Sequence, residues 1–569
     1  MEMHEMPQAY PRLRTWTSGV AVGLVAATFA WVQWGPTTVE TRAASTDGTT
    51  PLYGQSQVDP GEEAVDSGDG GPTVRTEVRP VGDDGPSGGG LGEADGPAGP
   101  GVDLGAGSGD RSDGPSASAN DTTGASDTSI LLGATVAEGG IAEDFLGQVR
   151  HGINAVRNRV NAKGGIHGRK LEVKFVNDNW EPDRGQRNIE TLIVQDKVFA
   201  FAVSPSSEGL NAASKAGLFE RHGVPVVGAD GLNNTQFLDR WIWPVAAATT
   251  TQVHVIMKEA WDRCEAAQGC GRSKGGPGLQ PGIVFGNTYR FGVEGAFAFN
   301  GAYCRLTAGR DDAFSADGKC NGGDNIPGFS PGETGCKSGS RYCGVQSRGG
   351  EQYVTETAQL KGACGASGGK PACNFVLLLL EPASALSWMG GAKFPSAVDF
   401  ERDGPSGGKC CGMAGAQPLF TSKFGAECGN KCNRMRVWTG YNPPIGQYGA
   451  SPAVSDYTKE LKAQSSTADI NNQFTLGGYI GMKLLVEALD RVGPDLARSK
   501  LVETLNSMPA LTTGLTNPAG LRWTTQERYA NHSAQSFRID YGNRFNGFQP
   551  AAAYTRDPWL GADNRPPGS

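Results

Sequence analysis

Residues 129–176 read SILLGATVAEGGIAEDFLGQVRHGINAVRNRVNAKGGIHGRKLEVKFV, and their pattern decides the fold. The run from Ile130 to Val136 is short and apolar, as in a buried strand. A glycine-containing loop follows it. Phe145, Val149, Ile153, Val156 and Val160 then recur every three or four residues, the period of one helix face. The helix is expected to stop at Asn161–Gly165, where Gly164 and Gly165 suit a left-handed cap. Leu171–Val176 is the second expected strand. The alternation continues with a helix over Pro182–Gln195, a strand at Val198–Val203, a helix to Arg221 and a strand at Val224–Val227. Strands alternating with helices over about 100 residues imply a parallel sheet covered on both faces, an α/β fold.

The pattern recurs further on. Ile283–Phe285 and Phe375–Leu380 read as strands. Phe474–Val492 reads as a long helix with Tyr479, Met482, Leu485 and Leu489 on one side. Between them, about 305–350 is rich in Gly and Cys with little periodicity, and reads as an insertion held by disulfides.

Working outward, the composition is uneven. The 569 residues include 84 Gly and 34 Pro, and many of these lie between residues 36 and 128. That stretch holds 17 acidic and 4 basic residues and few large apolar ones. It cannot bury enough surface to offset its ordering entropy, so 35–128 is expected to be a disordered linker. The net charge of −8 therefore leaves about +5 for 129–569, too little for a nucleic-acid binder. Thr15–Trp34 carries no charge, and twenty residues span about one hydrocarbon core. Arg12 and Arg14 precede it and the acidic tract follows, which places residues 1–14 in the cytoplasm. The segment reads as a membrane anchor, with a cleaved signal peptide as the alternative; both export the remainder.

All twelve cysteines fall in one window: Cys264, Cys270, Cys304, Cys320, Cys336, Cys343, Cys364, Cys373, Cys410, Cys411, Cys428 and Cys432. The even number in an exported chain points to disulfides, whose pairing the sequence leaves open. Zinc would want paired knuckles with His nearby, and no His lies between Cys264 and Cys432. Enzyme motifs are weak. Gly365-Ala-Ser-Gly-Gly369 matches a nucleophile elbow in form but lies in a Gly-rich loop rather than between a strand and a helix. The six His show no metal-binding spacing, and no Gly-rich loop has phosphate-loop spacing. Neither an enzyme nor a cofactor is expected.

Several segments together resemble a known family. Gly133-Ala-Thr-Val, Gly152-Ile-Asn-Ala-Val and Asn161-Ala-Lys-Gly-Gly-Ile-His-Gly-Arg-Lys-Leu-Glu172 come first. Asp178, Ala200-Phe-Ala-Val-Ser-Pro-Ser-Ser207 and His222-Gly-Val-Pro-Val-Val-Gly-Ala-Asp230 follow, then Phe474–Leu489 and Arg498–Leu505. Their order and spacing over about 129–558 are similar to the leucine/isoleucine/valine-binding family of ABC-transporter solute-binding proteins. The resemblance implies a two-lobed type I periplasmic-binding fold with a small-molecule ligand between the lobes and an ABC permease as partner. Lobe 1 would be about 129–245 and 440–540, lobe 2 about 246–439 and 541–558, with 559–569 as a tail. The cysteines, the insertion and the missing lipid-anchored Cys depart from the family.

Ligands of open parallel sheets sit at the carboxyl ends of strands. Ser204, Ser206 and Ser207 follow the Val198–Val203 strand, and a helix start there favours an anion. The resemblance implies that this loop holds a ligand carboxylate; helix capping is the alternative. Ala229, Asp230 and Gly231 occupy the second contact loop, where Asp230 would pair with an ammonium or hydroxyl or stand as a solvated turn residue. Glu138 and Gly139 flank the cleft. In the second lobe, Tyr289 and Phe291 would cover a ligand or pack in the core, and Glu381 ends an apolar strand. The position that holds a ligand amino group in family amino-acid binders maps near Ala416-Gln417, where no acid stands. Trp438 and Tyr441 lie near the lobe crossing. The expected ligand is small and polar, amino-acid-like or an amide, without the usual branched-chain amino-group chemistry. A surface ligand-sensing receptor with the same fold is the alternative function.

Overall fold

The structure, a computed structural model, describes residues 120–560 apart from 140–141, 288, 316–317, 330–340, 346–365, 368–369, 372, 391–411, 526 and 542–546. The expected cytoplasmic stub, the apolar segment Thr15–Trp34 and the linker up to 119 lie outside the described residues, as do Cys336, Cys364, Cys410 and Cys411. Among the described residues no helix is long and apolar enough to cross a membrane.

Two sheets form the frame. The first has five parallel strands in the order β2-β1-β3-β4-β5. They are β1 (Ser129–Val136), β2 (Lys170–Asn177), β3 (Ala200–Ala202), β4 (Val226–Ala229) and β5 (Ile242–Pro244). Their connections include α1 (Val149–Ala162), α2 (Pro182–Val194), α3 (Ser207–Lys215), α4 (Leu218–His222) and α5 (Asn234–Leu238). The apolar runs become buried central strands, and β3 and β4 are buried along their whole length. Phe145, expected on the face of α1, instead precedes it and packs edge-on against Trp180 (centroids 5.5 Å). Gly164 and Gly165 end α1 with φ of +106° and +89°, conformations that only Gly adopts without strain.

The chain crosses to the second lobe after β5. There α6 (Thr249–Ala266), β6 (Pro281–Gly286) and α7 (Arg290–Ala308) lead into the Cys-rich region. That region is not structureless: β7 (Tyr342–Val345) pairs in parallel with β6 at the sheet edge. A small hairpin, β8 (Ala366–Ser367) and β9 (Lys370–Pro371), precedes β10 (Phe375–Leu379). Then come α8 (Pro382–Gly390), β11 (Gly412–Gly415), α9 (Ser422–Glu427) and β12 (Arg436–Thr439). The chain returns to the first lobe with α10 (Pro452–Gln464), α11 (Gln473–Val492) and α12 (Arg498–Ser507). It ends in the second with β13 (Ser533–Asp540) and β14 (Gly547–Arg556). The second sheet runs β14-β13-β12-β11-β10-β6-β7, antiparallel at β13 and β14.

Three boundaries differ from expectation. The second lobe resumes at 533 rather than 541, because β13 hydrogen-bonds along β12. Order begins before 129: Asp121 pairs with the buried Arg498, and Ala125 bridges Ile130. At the other end Trp559, expected in the tail, is buried edge-on against His254, whose Nδ1 lies 3.0 Å from Asp557. Cys304 pairs with Cys320 and Cys428 with Cys432, each with Cα atoms 5.7 Å apart, normal for a disulfide. Cys270, Cys343 and Cys373 are also disulfide-bonded. Cys264 is instead a free, buried thiol, its Sγ 2.7 Å from that of Cys270.

The helix α11 is the spine of the first lobe, packed on α1 and β4. Close approach is possible because glycines meet there. A Cβ on Gly152 would lie 2.1 Å from the Thr475 carbonyl oxygen, and one on Gly228 would lie 2.3 Å from the Gly481 Cα. Ala in place of Gly at a free helical position stabilises by about 0.5–1 kcal/mol. At residue 152 the obstacle is backbone, so Gly152→Ala is expected to destabilise by about 1–3 kcal/mol through overpacking. A lower urea midpoint with unchanged slope would show this; a stabilised variant would contradict the packing described.

Candidate functional site

Three segments cross between the lobes, near 245–248, 440–442 and 530–533. The Asn531 side-chain amide donates to the carbonyls of Val245 (3.2 Å) and Gly440 (3.1 Å), tying all three together. Gly440 is needed here, since a Cβ would come within 2.7 Å of that amide nitrogen. The cleft opens beside this hinge, lined by the loops after the strands of both sheets.

The loop after β3 is bent sharply. Val203 and Ser204 have φ of +69° and +58°, a left-handed conformation that is a true outlier for a β-branched residue. The Ser204 hydroxyl accepts the Thr135 N–H at 3.0 Å, so it fastens this loop to the end of β1. Ser206 precedes α3, with its hydroxyl beside the Asp178 carboxyl. Ser207 begins α3 and its hydroxyl lies 3.5 Å from the Trp180 indole nitrogen. Of the three serines, Ser207 is the one left partly accessible. Burial raises Asp178 to about 6, against the hydrogen bond from the Trp180 N–H that favours its ionised form.

Trp180 was not singled out by sequence reasoning. Its signal was modest: a Trp among polar residues between a strand and the Pro182 helix start. It too is left-handed, with φ of +60°. Its ring stacks face to face on Tyr289 from the other lobe, with centroids 3.7 Å apart and planes 14° from parallel. Phe291 lies 6.2 Å from the same indole. Tyr289 and Phe291 thus reach across the cleft. Lys423 and Asp144 form a second cross-lobe pair at the surface. The lobes are closed on one another.

Deeper in, Ala229 ends β4 and the loop after it carries Asp230 and Gly231, all three buried. Asp230 is not the solvated turn residue weighed as its alternative; its exposure is 0%. The Tyr441 hydroxyl donates to Asp230 Oδ1. Oδ2 has no hydrogen-bond partner and rests against Gly477, where a Cβ would be 1.9 Å away. Burial pushes the Asp230 carboxyl well above its ordinary range, and burial and Asp230 together raise the Tyr441 phenol. Gln417 of the second lobe is buried with its side chain beside the Tyr441 hydroxyl, and its N–H donates to Gln252 Oε1 at 3.0 Å. Asp230, Tyr441 and Gln417 therefore meet from the two lobes and the crossing.

The remaining expected residues sit elsewhere. Glu381 is fully buried and accepts from the Ser384 N–H (3.0 Å) and hydroxyl, at the start of α8. Trp438 is core within β12. Glu138 pairs with Arg150, and Gly139 is left-handed at the edge of the cleft. Among the described residues no group of three His, Cys, Asp or Glu is placed to hold a metal ion.

Residues 129–274 match the family model for periplasmic binding proteins. No curated protein sequence matches. Solved structures share the fold at low identity. One is a possible leucine/isoleucine/valine-binding protein from Rhodopirellula baltica SH 1, 15% identical, with TM-score 0.56, covering 76% of this chain and 98% of its own. A second is a fatty acid ABC transporter substrate-binding protein from Thermomonospora curvata, 14% identical, with TM-score 0.59, covering 79% and 98%. A third is an ABC-transporter solute-binding protein from R. palustris in complex with 4-hydroxybenzoate, 12% identical, with TM-score 0.53, covering 76% and 99%. The two-lobed α/β fold is that of type I periplasmic binding proteins.

The buried Asp230 makes a testable statement about pH. Its folded-state affinity for a proton exceeds that of the unfolded chain, where a carboxyl titrates near about 4. Its contribution is therefore fullest below about 4 and is lost as pH rises. Urea midpoints from pH 4 to 8 should show wild type losing stability relative to Asp230→Asn. Parallel profiles would contradict the assignment.

Proposed function

We propose that the chain is the extracytoplasmic solute-binding component of an ABC importer, closing its two lobes on a small polar molecule. The observation that carries this reading is the convergence of loops from both sheets beside one three-segment hinge, with Tyr289 and Trp180 meeting across the cleft. A ligand that touches both lobes only when they are closed shifts the population toward the closed form. Fold similarity to substrate-binding proteins supports the same reading.

The ligand chemistry follows from the deep cluster. Asp230 Oδ2 is a buried carboxyl oxygen without a hydrogen-bond partner. Gln417 supplies a neutral amide in place of a second carboxylate. An amide or amino-acid-like molecule that hydrogen-bonds to both Asp230 and Gln417 suits this pair. Entry of such a ligand requires the lobes to part first, since both side chains are sealed at 0% exposure. Export of the domain agrees with the disulfides Cys304–Cys320 and Cys428–Cys432. The permease partner comes to this chain by analogy with the transporter components that share its fold.

Thermal melting of the oxidised full chain against amino acids, amides, short organic acids and sugars tests the proposal. A ligand at 100 times its Kd stabilises the folded state by about 2.7 kcal/mol. One compound class should raise the midpoint, and Gln417→Ala should remove that rise while the unliganded protein still melts cooperatively. No shift with any class, or a shift unaffected by Gln417→Ala, would contradict it.

A further inference from the structure

Between the lobes, each lobe sends one carboxylate into the other. Glu208 stands in the first turn of α3 in the first lobe, and Glu294 in the second turn of α7 in the second. Glu208 Oε1 accepts the backbone N–H of Arg290 at 3.0 Å. Arg290 is the first residue of α7. In return, Glu294 Oε2 accepts the backbone N–H of Asn234 at 2.5 Å. Asn234 is the first residue of α5. Helix-start N–H groups have no partner within their own helix, so each bond satisfies a donor that would otherwise need water. The arrangement is reciprocal: each lobe supplies one acceptor and one helix start.

The charges do not balance. Arg290 Nε donates to Glu294 Oε1 at 2.6 Å, which neutralises one carboxylate. Among the described residues Glu208 accepts a hydrogen bond from the Arg290 backbone N–H alone, with the Arg290 charge nearby but not paired to it, and both carboxylates are removed from solvent, with exposures of 9% and 2%. Lys215, the last residue of α3, also faces the pair. On the neighbouring α2, Arg184 faces Asp178 rather than this pair.

We propose that Glu208 and Glu294 form a reciprocal latch that holds the lobes closed while the pair carries a proton and loosens when both carboxylates are ionised. Burial raises Glu208 to about 7, and the facing Glu294 adds to that; burial also raises Glu294, which Arg290 opposes. Opening returns Glu208 to water, where a carboxyl titrates near about 4.3. The closed form therefore binds a proton more tightly than the open form. Closure is most favoured below that ordinary value and weakens progressively as pH rises through about 7. This adds proton dependence to the lobe closure invoked above. Its test needs no ligand, so failure of the latch and failure of the importer reading are separable.

Hydrogen exchange of the oxidised full chain between pH 5.5 and 8.5, corrected for intrinsic rates and read by mass spectrometry with fragmentation, is the experiment. The amides of Arg290 and Asn234 should lose at least about tenfold protection across this range, while those of α11 keep theirs. Glu208→Gln keeps an acceptor oxygen without the charge, so Arg290 should stay protected at both ends. Glu208→Ala removes the acceptor, so Arg290 should exchange fast at both ends. The α11 amides report whether each variant is folded. Protection at Arg290 and Asn234 that is constant with pH in wild type, or a pH-dependent loss unchanged in Glu208→Gln, would overturn the proposal.

Discussion

One side chain joins the three segments on which the two-lobed architecture turns. The Asn531 amide spans the carbonyls of Val245 and Gly440, and the neighbouring Gln535 donates to the Tyr441 carbonyl at 2.7 Å. Three segments tied side by side can bend together but cannot slide apart. Relative motion of the lobes is thereby restricted to hinging, in which a few residues take up the change in backbone angle. Tyr441 sits on this hinge and its hydroxyl reaches Asp230 in the first lobe. The polar centre of the cleft is thus attached to the element about which the lobes turn.

Around that centre the protein accepts conformations and burial that cost free energy. Asn179, Trp180, Val203 and Ser204 are all left-handed, and each such residue costs on the order of 1–3 kcal/mol. Each pair is held by a specific bond. Asp178 Oδ1 accepts the Trp180 N–H at 2.9 Å, and Ser204 accepts the Thr135 N–H. Four carboxyls, on Asp178, Glu208, Asp230 and Glu294, are buried and shifted upward by desolvation. Concentrated strain and raised carboxyls are expected where a cleft must recognise a ligand and close; here the strain and three of the carboxyls lie in the first lobe, and Glu294 faces them from the second.

Much of the first lobe was legible because its strands and helices are local patterns. Ile130–Val136 and Phe474–Val492 became β1 and α11 nearly residue for residue. The second lobe was less legible. The strand β7 lies in a Gly- and Cys-rich stretch without alternation, and its place is fixed by pairing with β6 some 60 residues earlier, as between Ile283 and Tyr342. β13 buries Ser533, Gln535 and Ser536, so its apolar signal is diluted. For the site, position after a strand drew attention to the loops bearing Ser207, Asp230 and Tyr289, which the structure places between the two lobes. It could not show that Ser204 fastens β1 or that Glu381 engages Ser384. Trp180, Glu208 and Glu294 escaped notice because their partners lie in the other lobe. The Glu208–Arg290 and Glu294–Asn234 bonds span 82 and 60 residues, and no local spacing encodes them.

The central claim is that these lobes close on a small molecule, and the exposed cross-lobe pair Lys423–Asp144 reads closure directly. A water-soluble carbodiimide converts such a contacting pair into an amide bond, which peptide mapping then identifies. In the oxidised full chain, the yield of the 144–423 link should rise with a compound that also raises the melting midpoint, and stay at its basal level with the rest of the panel. A yield that does not change with a compound that stabilises the protein would contradict closure as the consequence of binding.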